Sequence, residues 1–512
     1  MTHHPLLSVC MIVKNEAHNL VEALPNFAVF ADEMVIVDTG STDGTRDVAR
    51  AHTSRFFDFE WIQDFSAARN YSFEKASGRY LLWLDADDRF QPDMQARINR
   101  LKAHFDGNKA FNFLLENVHE PGPSSFCYQL RCVPARRDTR FEGRIHEQLL
   151  KSAVQAGLEL VDTDITVHHM GYANEDVCRA KLKRNLDLLL VELEAGAEGP
   201  STQLFLARTY EALNKREQAI DAMEKAIRRM ELEASHRDFI VEGHLFLGRS
   251  YAERGEPAKA LRSAVRAAAL VEKEPHHCLS VAMLFQDLGR HKQALGYLHR
   301  VRSNPYRPGW LPSWDLPPEG EILVHMAFSL LCLQQRPDAM EMLRLAWQSG
   351  EDAGKSWEWI GLRALRLQDY RLALSAYESA LQTGSMSADG YCNLGLIYRK
   401  RGLCSKTAEC YSRALQLEPG HQAAMTNLAH FYLERDQIQA AGPLFQELVD
   451  RGAKELDILL GLAVVAATQS NRGVLTQVQT QLLAADGSNV PVQLSVRNSD
   501  SAQTFALIAE NF

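Results

Sequence analysis

The chain has 512 residues, 46% of them hydrophobic, which is enough for two or three domains with packed cores. Its 65 acidic and 56 basic side chains leave a net charge of −9 with the two signs mixed along the chain, which argues against a nucleic-acid partner. Nine cysteines form no Cys-x-x-Cys pair, as expected in a reducing compartment. The apolar stretch Leu6 to Val13 is short for a signal peptide and lacks its basic start, and Ile458 to Ala467 is about half of a membrane span. With no transmembrane segment expected, the chain reads as soluble and cytoplasmic, with docking at the inner-membrane surface left open.

From Leu6 to about Tyr172, short apolar runs alternate with helical patterns, the signature of βαβ units around a mainly parallel sheet. Strands are expected at Leu7 to Val13, Met34 to Asp38, Arg55 to Phe57 and Tyr80 to Leu84. Later ones fall at Ala110 to Val118, Tyr128 to Val133 and Thr163 to His168. Helices fit at Ala17 to Leu24, Asp43 to Ala51 and Ser66 to Ala76, where apolar residues recur every three or four positions.

Beyond Asn174 the pattern is helical throughout, and a repeat emerges. Ala207, Gly248, Ala282, Ala327, Gly361, Gly395 and Ala429 are equivalent small positions, the last four spaced 34 residues apart. Twelve residues after each comes Ala219, Ala260, Ala294, Ala339, Ala373, Thr407 or Ala441, where a second helix must approach the first closely. Met223, Leu298, Leu343, Tyr377, Tyr411 and Phe445 are expected to fill the space between layers. This pattern resembles the tetratricopeptide repeat over roughly residues 200 to 450, in about seven units, with a Pro-rich insertion at Asn304 to Trp310. Such helix pairs stack into an all-α solenoid with an extended binding face. Asn393 and Asn427 are equivalent positions on it, and Asn there is also ordinary repeat consensus. Gly350-Glu351-Asp352-Ala353-Gly354-Lys355-Ser356 imitates a phosphate loop, but it lacks a preceding strand and is one residue short between glycines, so it reads as an inter-repeat turn.

Chemistry concentrates in the first domain. Lys14-Asn15-Glu16, Asp38-Thr39-Gly40-Ser41-Thr42-Asp43 and Asp85-Ala86-Asp87-Asp88 each follow an apolar strand-like run. Asp favours caps and turns, so any one of these motifs could be purely structural. The strand before each points it at the sheet edge where α/β proteins bind ligands. There a carboxylate can accept from ribose or base, and Asp-x-Asp can hold a hard cation against phosphate oxygens.

With Asp64-Phe65-Ser66-Ala67-Ala68-Arg69-Asn70, these motifs resemble the family 2 glycosyltransferases, inverting enzymes of the GT-A fold, a Rossmann-like architecture for nucleotide-diphosphate sugars. The resemblance covers most of residues 6 to 172. It implies that Lys14, Asn15, Glu16 and Asp38, with Thr39 and Asp43, hold the nucleoside. It further implies that Asp85 approaches ribose or diphosphate, and that Asp87, with Asp85 and Asp88, ligates Mg²⁺ or Mn²⁺. Arg69 and Asn70 would meet the diphosphate or sugar. Many members carry a second acid where Thr39 stands, which loosens the inference to uridine, although a UDP-sugar is the expected donor. The Ile145-His146-Glu147 stretch resembles an element of a subgroup that includes peptide S-glycosyltransferases and lipopolysaccharide core transferases, some of which also carry tetratricopeptide repeats. Glu147 is the expected base, with Glu142 and His146 as alternatives. Val167-His168-His169-Met170-Gly171-Tyr172 ends the last strand, and His169 fits a late metal ligand.

The expected organisation is a GT-A domain at 1–175, a helical linker at 176–199, the repeats at 200–452 and a helical cap and tail at 453–512. The expected activity is inverting, metal-dependent transfer to a peptide, protein or surface-glycan acceptor recruited by the repeats. The competing expectation is a noncatalytic repeat scaffold on a degenerate sugar-nucleotide domain.

Overall fold

The computed structural model describes residues 4–118, 124–170, 175–194, 196, 200–232, 237–271, 274–304, 313–314 and 316–486. Gly171, Tyr172, residues 305–310 of the expected insertion and the tail beyond 486 lie outside the described residues. The chain divides into two compact units, Met1–Pro317 and Pro318–Phe512.

The first unit opens with β1 (Leu7–Val13), α1 (Ala17–Ala28), β2 (Glu33–Asp38), α2 (Thr45–His52), β3 (Phe56–Asp58), α3 (Phe65–Lys75) and β4 (Tyr80–Trp83). There follow β5 (Asp88–Arg89), α4 (Met94–Lys102), β6 (Lys109–Asn117), β7 (Ser125–Pro134), α5 (Leu150–Gln155) and β8 (Glu159–His169). A two-residue β9 (Ser313–Trp314) completes a sheet of order β3-β2-β1-β4-β7-β6-β8-β5, pairing with β7. β1 is buried along nearly its whole length, as a central strand covered on both faces must be. Alternation divides its side chains: Val9 and Met11 face α1 and α4 through Leu20, Leu24, Phe27 and Ile98, while Cys10 packs among Leu81, Phe73 and Phe141. Gly78 sits so close to β1 that a Cβ would lie 2.6 Å from Ser8 Oγ and 2.8 Å from Ser8 N.

The sheet is more mixed than the expected mainly parallel one. β1, β2, β3 and β4 run parallel, but β7 is antiparallel to β4, β6 and β9, and β5 is antiparallel to β8. The physical reason is the short connection between β6 and β7, which has no room for a crossover helix. Since β6 and β8 are again parallel to one another, the carboxyl ends of β1, β2, β4 and β8 share one edge of the sheet.

The rest of this unit is helical: α6 (Glu175–Glu194), then the pairs α7 (Pro200–Ala212) and α8 (Arg216–Leu232), α9 (Arg237–Glu253) and α10 (Pro257–Leu270), α11 (Pro275–Asp287) and α12 (His291–Ser303). Ala207, Ala219, Ala260, Ala282 and Ala294 are fully buried where paired helices meet. α6 shares a core with α7 to α9, in which Leu186 and Leu189 pack with Leu204 and Ile220, and Ile145 of the first domain belongs to it.

The second unit comprises α13 (Glu319–Cys332), α14 (Arg336–Gln348), α15 (Ala353–Arg366), α16 (Tyr370–Thr383), α17 (Ala388–Lys400), α18 (Cys404–Leu417), α19 (Gln422–Leu433), α20 (Ile438–Asp450), α21 (Leu456–Thr468) and α22 (Arg472–Asp486). Small residues again set the spacing. Gly361 lies under the Tyr377 ring and Gly395 under Tyr411, each leaving only 2.7 Å for a Cβ. The phosphate-loop imitation is a helix start, with Asp352 capping α15 by accepting from Lys355 N at 2.8 Å. Asn427 donates its amide to Cys392 Sγ at 3.4 Å. Among the described residues, no helix is long and apolar enough to cross a membrane.

Candidate active site

Two loops are stitched together at the ends of β1 and β2. Asp38, 1% exposed, accepts from the backbone N–H groups of Ser41 at 3.2 Å and Gly40 at 3.4 Å, and lies 3.5 Å from Arg46. Thr39 donates both its N–H and its hydroxyl to the Val13 carbonyl, at 2.9 and 3.1 Å. That double bond to β1 occupies a side chain which a second acid could not replace, since a carboxylate cannot donate. Asn15, in the left-handed region at φ 56°, accepts from Thr42 N at 2.8 Å and gives its own N–H to Ser41 Oγ at 2.9 Å. Asp43 accepts from Thr45 N at 3.0 Å and Ala17 N at 3.3 Å, tying the starts of α2 and α1. Glu16 accepts from the Asn19 amide at 2.7 Å, and Lys14 is exposed beside them.

At the end of β4, Asp85, Asp87, Asp88 and His169 each bring a ligand atom within 4.8 Å of the others. The two-residue ladder between β5 and β8 makes this possible, because it sets Asp88 opposite His169. His169 Nδ1 lies 3.0 Å from Asp88 Oδ1 and 3.4 Å from Asp87 Oδ1. Asp88, with no exposed side-chain surface, also accepts from Asp85 N at 2.8 Å and from Arg131 at 2.9 Å. Burial disfavours the charge of Asp85, but Arg69 and Arg131 outweigh it and hold the carboxyl well below its usual range. Among the described residues Asp87 has no arginine paired with it: burial, with Asp85 and Asp88 alongside, pushes its carboxyl up to about 6 against the pull of His169 and Lys181. Burial works against a protonated His169, yet Asp88 and the other acids raise it. Oxygen donors with one imidazole and a carboxylate short of positive charge suit a hard divalent cation.

A third element faces this cluster. Arg69, one turn into α3, donates Nε to Glu147 Oε1 at 2.6 Å and a terminal nitrogen to Asp85 Oδ1 at 2.8 Å. One guanidinium therefore joins the Asp-x-Asp loop to the expected base. Trp83 braces it, with Arg69 4.4 Å and Arg131 3.9 Å from the ring centre. Asn70 is committed to backbone, its amide exchanging both bonds with Phe141 at 3.0 and 2.9 Å. Of the alternative bases, Glu142 pairs with Lys151 at 2.8 Å, and His146 stacks on Phe205 of α7 at 3.9 Å. Burial, with Arg208 nearby, presses the His146 imidazole down to about 4.

Residues 8–125 match the family described as Glycosyl transferase family 2, and tetratricopeptide repeats match at 200–229, 241–266, 360–406 and 392–455. A family 2 glycosyltransferase domain is followed here by tetratricopeptide repeats. The SPbeta prophage-derived glycosyltransferase SunS of Bacillus subtilis is 25% identical over 242 residues, 46% of this chain and 56% of that protein. A tetratricopeptide repeat-containing protein of Synechococcus elongatus is 30% identical over 176 residues, 33% of this chain and 43% of its own. Glycosyltransferase AglE of Haloferax volcanii is 34% identical over 93 residues, 16% of this chain and 31% of its own. The chain thus spans about half the length of the first two relatives.

Within the family 2 domain and its continuation, the sequence reading missed Arg131 and Trp83. A signal was present: an arginine at an inward position of the otherwise apolar Leu130-Arg131-Cys132-Val133 must be paired, because a lone buried charge is too costly. Glu147, Arg131 and His169 all lie beyond the matched stretch: Arg131 on β7 and His169 on β8 return through the sheet, and Glu147 is held to α3 by its contact with Arg69.

Proposed function

We propose that this protein is an inverting, metal-dependent glycosyltransferase, taking a sugar from a nucleotide-diphosphate donor, a UDP-sugar foremost, to a peptide, protein or surface-glycan acceptor engaged by the repeats. The observation that carries the reading is the Arg69 bridge between Asp85 and Glu147 beside the Asp87, Asp88 and His169 cluster. Asp38 and the Asn15 loop are assigned to the nucleoside, and Asp85, Asp87 and His169 to Mg²⁺ or Mn²⁺, with the fully buried Asp88 orienting His169 and the Asp85 backbone. The cation, when bound, would neutralise charge on the donor diphosphate. Glu147 takes the acceptor proton, and Arg69 fixes its orientation. Glu147 acting as the one base fits a single displacement with inversion rather than a covalent intermediate.

The test is nucleoside diphosphate release from a panel of sugar nucleotides with Mn²⁺. Wild type should turn over at least one donor, and Asp87→Asn should lose the activity with the fold intact. Metal-independent release, or equal rates for both proteins, would overturn the reading. The acceptor is best sought by mass spectrometry of proteins and surface glycans from cells with and without this chain. Truncation at residue 200 is a poor probe of acceptor binding, because Ile145 shares its core with α6 to α9.

A further inference from the structure

α6 lies beyond the stretch matched to family 2, yet it is built against the site. Its Glu192 accepts the Arg144 N–H at 2.7 Å, and Leu186 and Leu189 pack in the cluster that holds Ile145, with Phe65 against it. Phe65 starts the helix that carries Arg69, and the Arg184 guanidinium lies 5.3 Å from the Phe65 ring centre. Lys181 is one turn earlier, on the same side of α6. Arg184 is exposed and shares a hydrogen bond with Asn185 at 3.2 Å; Lys181 is half-buried. Desolvation lowers the Arg184 guanidinium against the pull of Glu147, and Lys181 favours the charged form of Asp87 against its burial.

Charge balance gives these two residues a task. Asp85, Asp87, Asp88 and Glu147 are four carboxylates, and Arg69 and Arg131 offset two of them. One divalent cation would balance the remainder and leave nothing for an incoming diphosphate. When the bond from the sugar carbon to the β-phosphate oxygen breaks, its electron pair stays on that oxygen, so the departing group gains a negative charge. The acceptor proton goes to Glu147 and the new bond forms from the acceptor atom to the sugar carbon.

We propose that Lys181 and Arg184 of α6 bind the donor diphosphate and stabilise its departure, so that the linker to the repeats supplies part of the active site. This rests on the glycosyl-transfer reading above. Two positive groups one helical turn apart can straddle a diphosphate, and a charge-assisted contact of this kind is worth about tenfold in affinity.

The experiment is calorimetric titration of the full chain, in Mn²⁺, with UDP, GDP, CDP and ADP, and with the matching nucleosides. Lys181→Gln and Arg184→Gln should each weaken the preferred diphosphate about tenfold, with Mn²⁺ and nucleoside binding and the thermal midpoint unchanged, and Lys181→Arg should restore most of the loss. Diphosphate affinity equal to wild type in both variants would overturn the inference while leaving the transferase reading standing. Parallel losses of nucleoside and Mn²⁺ binding would assign α6 a structural role and also overturn it. A wild-type chain that binds no nucleoside diphosphate would overturn both.

Discussion

Arg69 shows how one residue can serve two carboxylates. Its planar fork reaches Glu147 from Nε and Asp85 from a terminal nitrogen, over the Trp83 face. A lysine ammonium is a point charge on a flexible stem and cannot hold both directions at once. Arg69→Lys should therefore lower donor turnover about a hundredfold, since misorienting the base costs on that scale. Circular dichroism should stay native, and unchanged release kinetics would show that the fork does not organise the site. At this scale the sequence was informative about the acids and about Arg69, and silent about which of these groups pair. Asp85, Asp87 and His169 could be named because strand-end acids and a late histidine stand out. The pairings and Arg131 could not, because they depend on β5 meeting β8 and β7 meeting β4, contacts between elements far apart in the chain. Thr39 and Asn70 illustrate the opposite case. Both stand in conspicuous motifs, and both spend their polar atoms on neighbouring backbone.

Among the elements, the loop from Phe141 to Gln148 carries Glu147 and is held at several points. Glu142 and Gln148 exchange backbone bonds at 3.0 and 2.9 Å, Arg144 O accepts from Phe65 N at 2.8 Å, and His146 adopts φ 52°. A non-glycine residue keeps that backbone only where its surroundings fix it, and here the imidazole stacks at 11° on Phe205 of α7. Phe205→Ala removes the support from a distance. We expect kcat to fall about tenfold, by analogy with other small displacements of a positioned group, with the KM for the donor nearly unchanged. A rise in KM at constant kcat would contradict it. The strands were legible because buried runs such as Leu7–Val13 and Tyr80–Trp83 have no other use, and the repeats because their small positions recur. The mixed direction of the sheet was also within reach, since no helical pattern separates β6 from β7. β5 and α5 are too short to show a period, whereas α4 carries one, with Met94, Ile98 and Leu101 at i, i+4 and i+7 among polar residues, that went unread.

At the scale of the whole molecule, both units bury histidines in neutral form, and this couples stability to pH. Burial, then the neighbouring Arg208, lowers His146 to about 4. Burial, then His277, does the same for His276, also to about 4. In the second unit burial, then Arg363, brings His325 to about 4. An unfolded histidine titrates near 6.5, so between that pH and about 4 the unfolded chain binds more protons than the folded one. Stability is therefore full above about pH 6.5 and is lost as the pH falls through the window, levelling out below about 4. Asp87, whose carboxyl is raised to about 6, runs the other way, as do the raised His169, Glu211 and Glu321, because each favours the folded state in acid; the lowered His244 and the lowered carboxyls of Asp85, Glu33 and Glu242 add to the loss. After discounting for partial exposure, each histidine should cost on the order of 1–2 kcal/mol between pH 7 and 4.5. Urea unfolding at pH 7, 5.5 and 4.5 should give steadily lower midpoints, and His325→Phe should flatten that dependence in the second unit while leaving the first unit's slope in place. A midpoint that holds level from pH 7 to 4.5 in the wild-type chain would mean that these imidazoles take up their protons without opening either core.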